Sequence, residues 1–232
     1  MFVRHPLLPT SLAFATVLVL VVPHAARAIA PDTEAAQGGS PPAFVGGVAR
    51  LDSATRALMT GRSWRPGCPM GLDTLRQVRV TYLGFDGEAH RGRVVVQRRW
   101  ARPILRVFQR LFEVGFPLRH VFLVDRYAAN DRRSMAADNT SAFNCRWRAG
   151  VCCVWSQHAF GRAIDLDPVE NPFVWQGGVS PPAGVRFLNR ARRRPGMIHH
   201  GDAVWRAFHS IGWEWGGDWS EPDYQHFSAN GR

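Results

Sequence analysis

Apolar and polar residues alternate from Val78 to Leu83 in a run rich in branched side chains, the pattern of a half-buried strand. Asp86-Gly87 is a turn signal and Arg93-Val94-Val95-Val96-Gln97 supplies the returning strand, so the segment predicts a hairpin. From Arg102 to Val114 the period changes. Ile104, Leu105, Phe108, Leu111 and Phe112 recur at helical spacing until Gly115 and Pro117 stop the helix, which is expected to pack behind the sheet. His120 to Val124 reads as a buried strand and Ser141 to Arg146 as another. Ala163 to Asp167 alternates again, with Ile164 and Leu166 toward the core and Asp165 and Asp167 on the opposite face, until Pro168 removes a ladder donor. Asp202 caps a helix whose Val204, Ala207, Phe208 and Ile211 form one face and which ends at Gly212. Trp213-Glu214-Trp215 and Gln225-His226-Phe227 complete the set as short strands. Helices with a small, mostly antiparallel sheet define an α+β domain.

The N-terminal part reads differently. Arg4 and His5, an apolar run from Leu12 to Val22 and the small-x-small site Ala26-Arg27-Ala28 form an export leader, residues 1–28. That run is shorter than the ~20 residues a membrane-spanning helix needs. Residues 29–62 carry Pro31, Gly38-Gly39-Ser40-Pro41-Pro42 and Gly46-Gly47, a linker composition, which leaves 63–232 as the folded domain. The expected location is periplasmic or secreted.

The formal charge is +11, and all 29 basic residues are arginine. Runs such as Arg190-Ala191-Arg192-Arg193-Arg194 suit anionic envelope polymers or a solvated, arginine-biased surface. No nucleic-acid motif accompanies the charge, so nucleic acid is not an expected partner. Cys68, Cys145, Cys152 and Cys153 fit an exported protein with one or two disulfides. A ring between the neighbours Cys152 and Cys153 is strained, which favours Cys68 and Cys145 each pairing with one of them. A zinc site of Cys152, Cys153 and His158 is the competing reading, at a spacing unlike a zinc knuckle.

The chemistry-bearing stretch is Ser156-Gln157-His158-Ala159-Phe160-Gly161-Arg162-Ala163-Ile164-Asp165, together with Asp223-Tyr224-Gln225-His226. Two imidazoles and a carboxylate, His158, Asp165 and His226, make a three-ligand frame for zinc with an open fourth position, where a water's pKa falls to about 7. Gly161 permits a tight turn after the first ligand.

This His-x6-Asp element with its late Asp-x-x-His resembles the zinc peptidases of the D-alanyl-D-alanine carboxypeptidase and L-alanyl-D-glutamate endopeptidase superfamily, the VanY-like and endolysin-like wall enzymes. Val78–Gly87, Asp138–Arg146, Asp165–Pro172 and Gly212–Trp219 look like further blocks of that superfamily in the same order. The resemblance implies the zinc-peptidase fold shared with the hedgehog signalling domain and peptidoglycan stem peptides as substrate; a monomer is expected. It also implies Asp223 as general base, with Glu221 and Asp218 as rivals, and Arg146 as the positive donor to substrate, with Ser141 a further substrate contact. In an ideal strand Asp223 and His226 face opposite sides, so a bend or bulge near Pro222 is required. Asp167 stands where many relatives have Asn, either orienting a histidine ring or closing a turn. Trp213, Trp215 and Trp219 suit a groove wall or a core, and His199-His200 are loop histidines.

Two functions follow. One is an exported zinc metallopeptidase, cutting as a D-Ala-D-Ala carboxypeptidase or as an endopeptidase within the stem. The other is a non-catalytic zinc-containing wall-binding module, whose mark would be a missing base; Asp223 is present.

Overall fold

The computed structural model describes residues 42–148, 150–151 and 153–231. The leader and the first part of the expected linker lie outside the described residues. The hairpin forms as the alternation predicts but is longer: β2 (Leu75–Leu83) pairs antiparallel with β3 (Ala89–Gln97), with Leu83 opposite Ala89. Gly87 closes the turn at φ +79°, and the Asp86 carboxylate accepts the Glu88 N–H at 3.0 Å.

The linker expectation fails in its second half. Gly47–Arg50 is a strand, β1, antiparallel to β2, and Ser53–Met59 is a helix, α1, capped by the Asp52 side chain. The Gly-rich composition misleads here because Gly46 serves close packing: a Cβ there would meet Leu105 Cδ1 at 2.6 Å.

The helix expected after the hairpin is α2 (Ala101–Glu113). Its Ile104, Val107, Phe108 and Leu111 are buried against Val78, Val80, Val94 and Val96 of the hairpin. Burial of this kind contributes about 25 cal/mol per Å² of apolar surface, which makes the α2 and hairpin layer the main stabilising core. Leu105 and Phe112 sit at the rim, with Phe112 5.9 Å from Phe44.

Beyond α2 the strands are shorter than their apolar runs. β4 is only His120–Val121 and runs parallel to β5 (Asn139–Thr140), with the short helix α3 (Asp131–Ala136) between them. The segment 141–146 makes no continuous strand; Ser141 alone bridges to Asp165. A second antiparallel sheet has β10 (His226–Ser228) between β6 (Ala163–Asp165) and β9 (Glu214–Trp215). Phe173–Trp175 and Gly178–Ser180 form a small hairpin, β7 and β8. The capped helix is α4 (Ala203–His209): the Asp202 carboxylate accepts the Trp205 N–H, and Gly212 follows at φ +78°. Mixed helices and small sheets, antiparallel except for β4 with β5, make the architecture α+β.

The cysteine expectation is corrected: Cys68 bonds to Cys145, not to a member of the 152–153 pair. Backbone contacts bring these two segments together. Cys145 N–H donates to Ser63 O at 2.9 Å and Arg65 donates to Cys145 O at 2.9 Å, so the Cys145 side chain is buried beside the loop that carries Cys68. No helix among the described residues is long and apolar enough to cross a membrane.

Candidate metal centre

His158 lies in a single 3-10 turn, Gln157–Phe160, capped at its start by Ser156, whose hydroxyl accepts the His158 N–H at 3.3 Å. Gly161 ends the turn at φ +62°. A Cβ there would lie 2.6 Å from the Gln97 nitrogen, so the turn needs glycine both for its backbone angle and for its approach to β3. β6 follows at once and carries Asp165. The register of β6 with β10 sets His226 opposite Asp165. Two local elements and one strand pairing thus gather side chains that are 68 positions apart in the chain at their extremes.

His158, Asp165 and His226 are all buried, and one ligand atom from each lies within 4.8 Å of the others. His226 Nδ1 is 2.9 Å from Asp165 Oδ1, and His158 Nε2 is 3.1 Å from Asp165 Oδ2. The second contact is not a hydrogen bond: His158 Nε2 is a buried nitrogen without a hydrogen-bond partner. The other ring nitrogen explains why. His158 Nδ1 is 2.6 Å from the Ala142 carbonyl, which can only accept, so a neutral ring carries its proton on Nδ1 and turns the Nε2 lone pair toward a carboxylate oxygen. Two acceptors facing each other in a buried site call for a cation, and a set of two imidazoles and one carboxylate suits zinc. Burial pushes the Asp165 carboxyl up; positive charge on the two histidine rings when they are protonated, His158 foremost, outweighs burial and holds the group well below the usual carboxylate range, and a bound cation would act on it in the same sense.

Asp223 reaches the same site by a turn directly after Pro222, the bend of the two alternatives expected there. The His226 N–H donates to the Asp223 carbonyl at 3.1 Å across Tyr224-Gln225, which reverses the alternation and brings both residues to one side. The Asp223 N–H is fixed at 2.9 Å to Gly216 O. Burial, followed by the negative charge of Asp165, pushes the Asp223 carboxyl up to about 7, and its Oδ1 is buried without a hydrogen-bond partner. A carboxyl that titrates near neutrality beside a metal frame suits proton transfer. The rivals are engaged elsewhere: Glu221 accepts the Gln176 N–H at 3.2 Å and Asp218 pairs with His200 at 2.9 Å.

Ser141 exchanges both backbone hydrogen bonds with Asp165, at 3.0 and 2.9 Å, and is buried beside the frame. Arg146 is committed differently: its guanidinium lies 2.8 Å from the Asp131 carboxylate. Among the described residues Asp167 forms no hydrogen bond or ion pair with a histidine. It is wholly buried at φ +38°, outside β6, and its carboxylate accepts the Arg119 N–H at 2.9 Å, so it closes a turn. Trp213 and Trp215 are core residues, while Trp219 lies 5.5 Å from the His226 ring. The Ala142 carbonyl, which orients His158, has no signal in sequence because any residue carries it.

Residues 152–229 match the family model described as D-alanyl-D-alanine carboxypeptidase. The matched segment holds His158, Asp165, Asp223 and His226, and the match bears out the resemblance drawn from the motif blocks; the blocks at 78–87 and 138–146 lie upstream of it. The chain is thus similar, over its C-terminal third, to peptidases of the zinc-dependent type that act on D-Ala-D-Ala. No curated protein and no solved structure matches it.

Proposed function

We propose that the chain is an exported zinc metallopeptidase that hydrolyses peptide bonds in peptidoglycan stem peptides, and that His158, Asp165 and His226 hold the metal. The observation that carries this reading is the buried His158 Nε2, facing Asp165 at 3.1 Å without a hydrogen bond, with the Asp223 carboxyl beside the same frame. When bound, zinc supplies a Lewis acid for the scissile carbonyl and a water of lowered pKa.

The protein's own groups do the rest. Asp223, as a carboxylate, accepts the proton of the attacking water and returns it to the nitrogen of the departing amine. The Ala142 carbonyl holds the His158 tautomer, so the ring presents Nε2 to the site in every turnover. Arg146 is the candidate donor to a substrate carboxylate or developing oxyanion, in exchange with or alongside Asp131. Ser141 is the candidate substrate contact next to Asp165.

The test is digestion of purified peptidoglycan and of a pentapeptide ending in D-Ala-D-Ala, with products identified by mass. Loss of a single terminal D-Ala identifies a carboxypeptidase and internal stem cuts an endopeptidase. No cleavage by protein carrying one equivalent of zinc overturns the peptidase reading in favour of a wall-binding module.

A further inference from the structure

Residues 171–201 contain five arginines and no aspartate or glutamate. One of the five is structural. Arg190 is half-buried, and its guanidinium donates to the carbonyls of Glu170 and Ile198 and to the Asn171 side chain, tying the two ends of the segment together. The other four, Arg186, Arg192, Arg193 and Arg194, are exposed. Among the described residues none of the four forms an ion pair with a carboxylate.

Two of these guanidinium groups converge. Arg186 lies 5.0 Å and Arg194 5.5 Å from the centroid of the same Phe187 ring, and Arg194 donates to the Arg186 carbonyl at 3.3 Å. The ring itself is buried, so the two cations share a fixed base. Beside them the 3-10 turn Pro182–Phe187 leads into Leu188, and two aliphatic side chains are left in water: Val185 is 60% and Leu188 39% exposed. Residues three apart on such a turn stand on one side of it. Like charges held together without a carboxylate favour a multivalent anion. A soluble anionic polymer would use the arginines alone, whereas exposed aliphatic groups next to a cationic rim match phosphate headgroups with acyl chains beneath them.

We propose that the Pro182–Arg194 segment is a peripheral docking surface for an anionic phospholipid bilayer, with Arg186, Arg192, Arg193 and Arg194 on the headgroup phosphates and Val185 and Leu188 dipping below them. The proposal does not depend on the peptidase reading, since no residue of the segment belongs to the His158, Asp165, His226 frame. If both hold, the surface keeps the enzyme at a membrane.

The full chain is sedimented with vesicles of phosphatidylglycerol and phosphatidylcholine in equal parts, and with phosphatidylcholine alone, with a circular dichroism spectrum of each variant as a folding control. The expected result is binding to the anionic vesicles only. Substituting Arg186, Arg192, Arg193 and Arg194 together by Gln should weaken it by about 100-fold or more, and Val185→Ser with Leu188→Ser by about tenfold. Peptide cleavage by both variants should equal that of the parent chain. Failure of the parent chain to bind anionic vesicles overturns the proposal. So does binding that the two serine substitutions leave unchanged and that soluble polyphosphate competes away, which would mark a site for a soluble anionic polymer.

Discussion

His226 stands directly across from Asp165 in the β6 and β10 pair, and its Nδ1 lies 2.9 Å from Asp165 Oδ1. The pairing register therefore builds two thirds of the metal frame, and a slip of one residue would turn one ligand to the other face of the sheet. A buried carboxylate held between two histidines is costly unless its charge is met, so a metal bound there would stabilise the fold as well as serve the proposed reaction.

Removing the metal should lower both activity and stability. A strong chelator is expected to abolish cleavage and lower the melting temperature, and added zinc to restore both. His158→Ala should leave the chain without stoichiometric zinc by metal analysis and reduce kcat/KM by more than about 100-fold.

Asp223→Asn should separate binding of the metal from use of it. Zinc content is expected to stay at the parent level while kcat falls by about 10²–10⁴. Loss of zinc in this variant would instead make Asp223 a ligand.

Gly216→Ala tests the position of the base. A Cβ at residue 216 would meet the Asp223 carbonyl at 2.7 Å and the Asp223 Cβ at 3.1 Å, so the 223 segment must shift. A drop in kcat of about tenfold or more, with zinc retained and stability lowered by about 1–3 kcal/mol, is the expected outcome.

Opening the Cys68–Cys145 bond releases a cross-link that spans 77 positions. Cys68→Ser should cost about 2–4 kcal/mol in denaturant unfolding. Neither cysteine belongs to the His158, Asp165, His226 set, so the folded variant should keep its zinc.

Glu170 gives a pH dependence of a different origin. Burial, then the neighbouring Asp138, pushes its carboxyl from 4.5 up to about 8. Between those values the folded chain holds a proton that the unfolded chain has released, so stability is full below about 4.5 and is lost as pH rises through about 8. Glu170→Gln keeps a donor toward Asp138 and cannot ionise. Melting curves from pH 5 to pH 9 should therefore show a flatter profile for the variant and a higher melting temperature than the parent at the alkaline end.

What the sequence determined by itself were the features set by local pattern and backbone chemistry. The β2 and β3 hairpin, α2, the Asp202-capped α4 and the turn at Gly161 follow from periodicity, caps and glycine, which act within a few residues. His158, Asp165 and His226 were legible as a group because their motifs and the flanking blocks resemble the zinc peptidases; residue types and one spacing alone would have left His158 an ordinary turn histidine. Tertiary structure alone decided the rest, because it depends on partners distant in the chain. Gly46-Gly47 reads as linker until Leu105 packs on Gly46 and β1 finds β2. Asp167 reads as a strand residue until its left-handed backbone and the Arg119 N–H bury it in a turn. The Cys68–Cys145 bond, the commitment of Arg146 to Asp131 and the Ala142 carbonyl on His158 arise from segments that meet only in the folded chain. No local pattern encodes them, since a backbone carbonyl is common to every residue and the proximity of remote side chains is a property of packing.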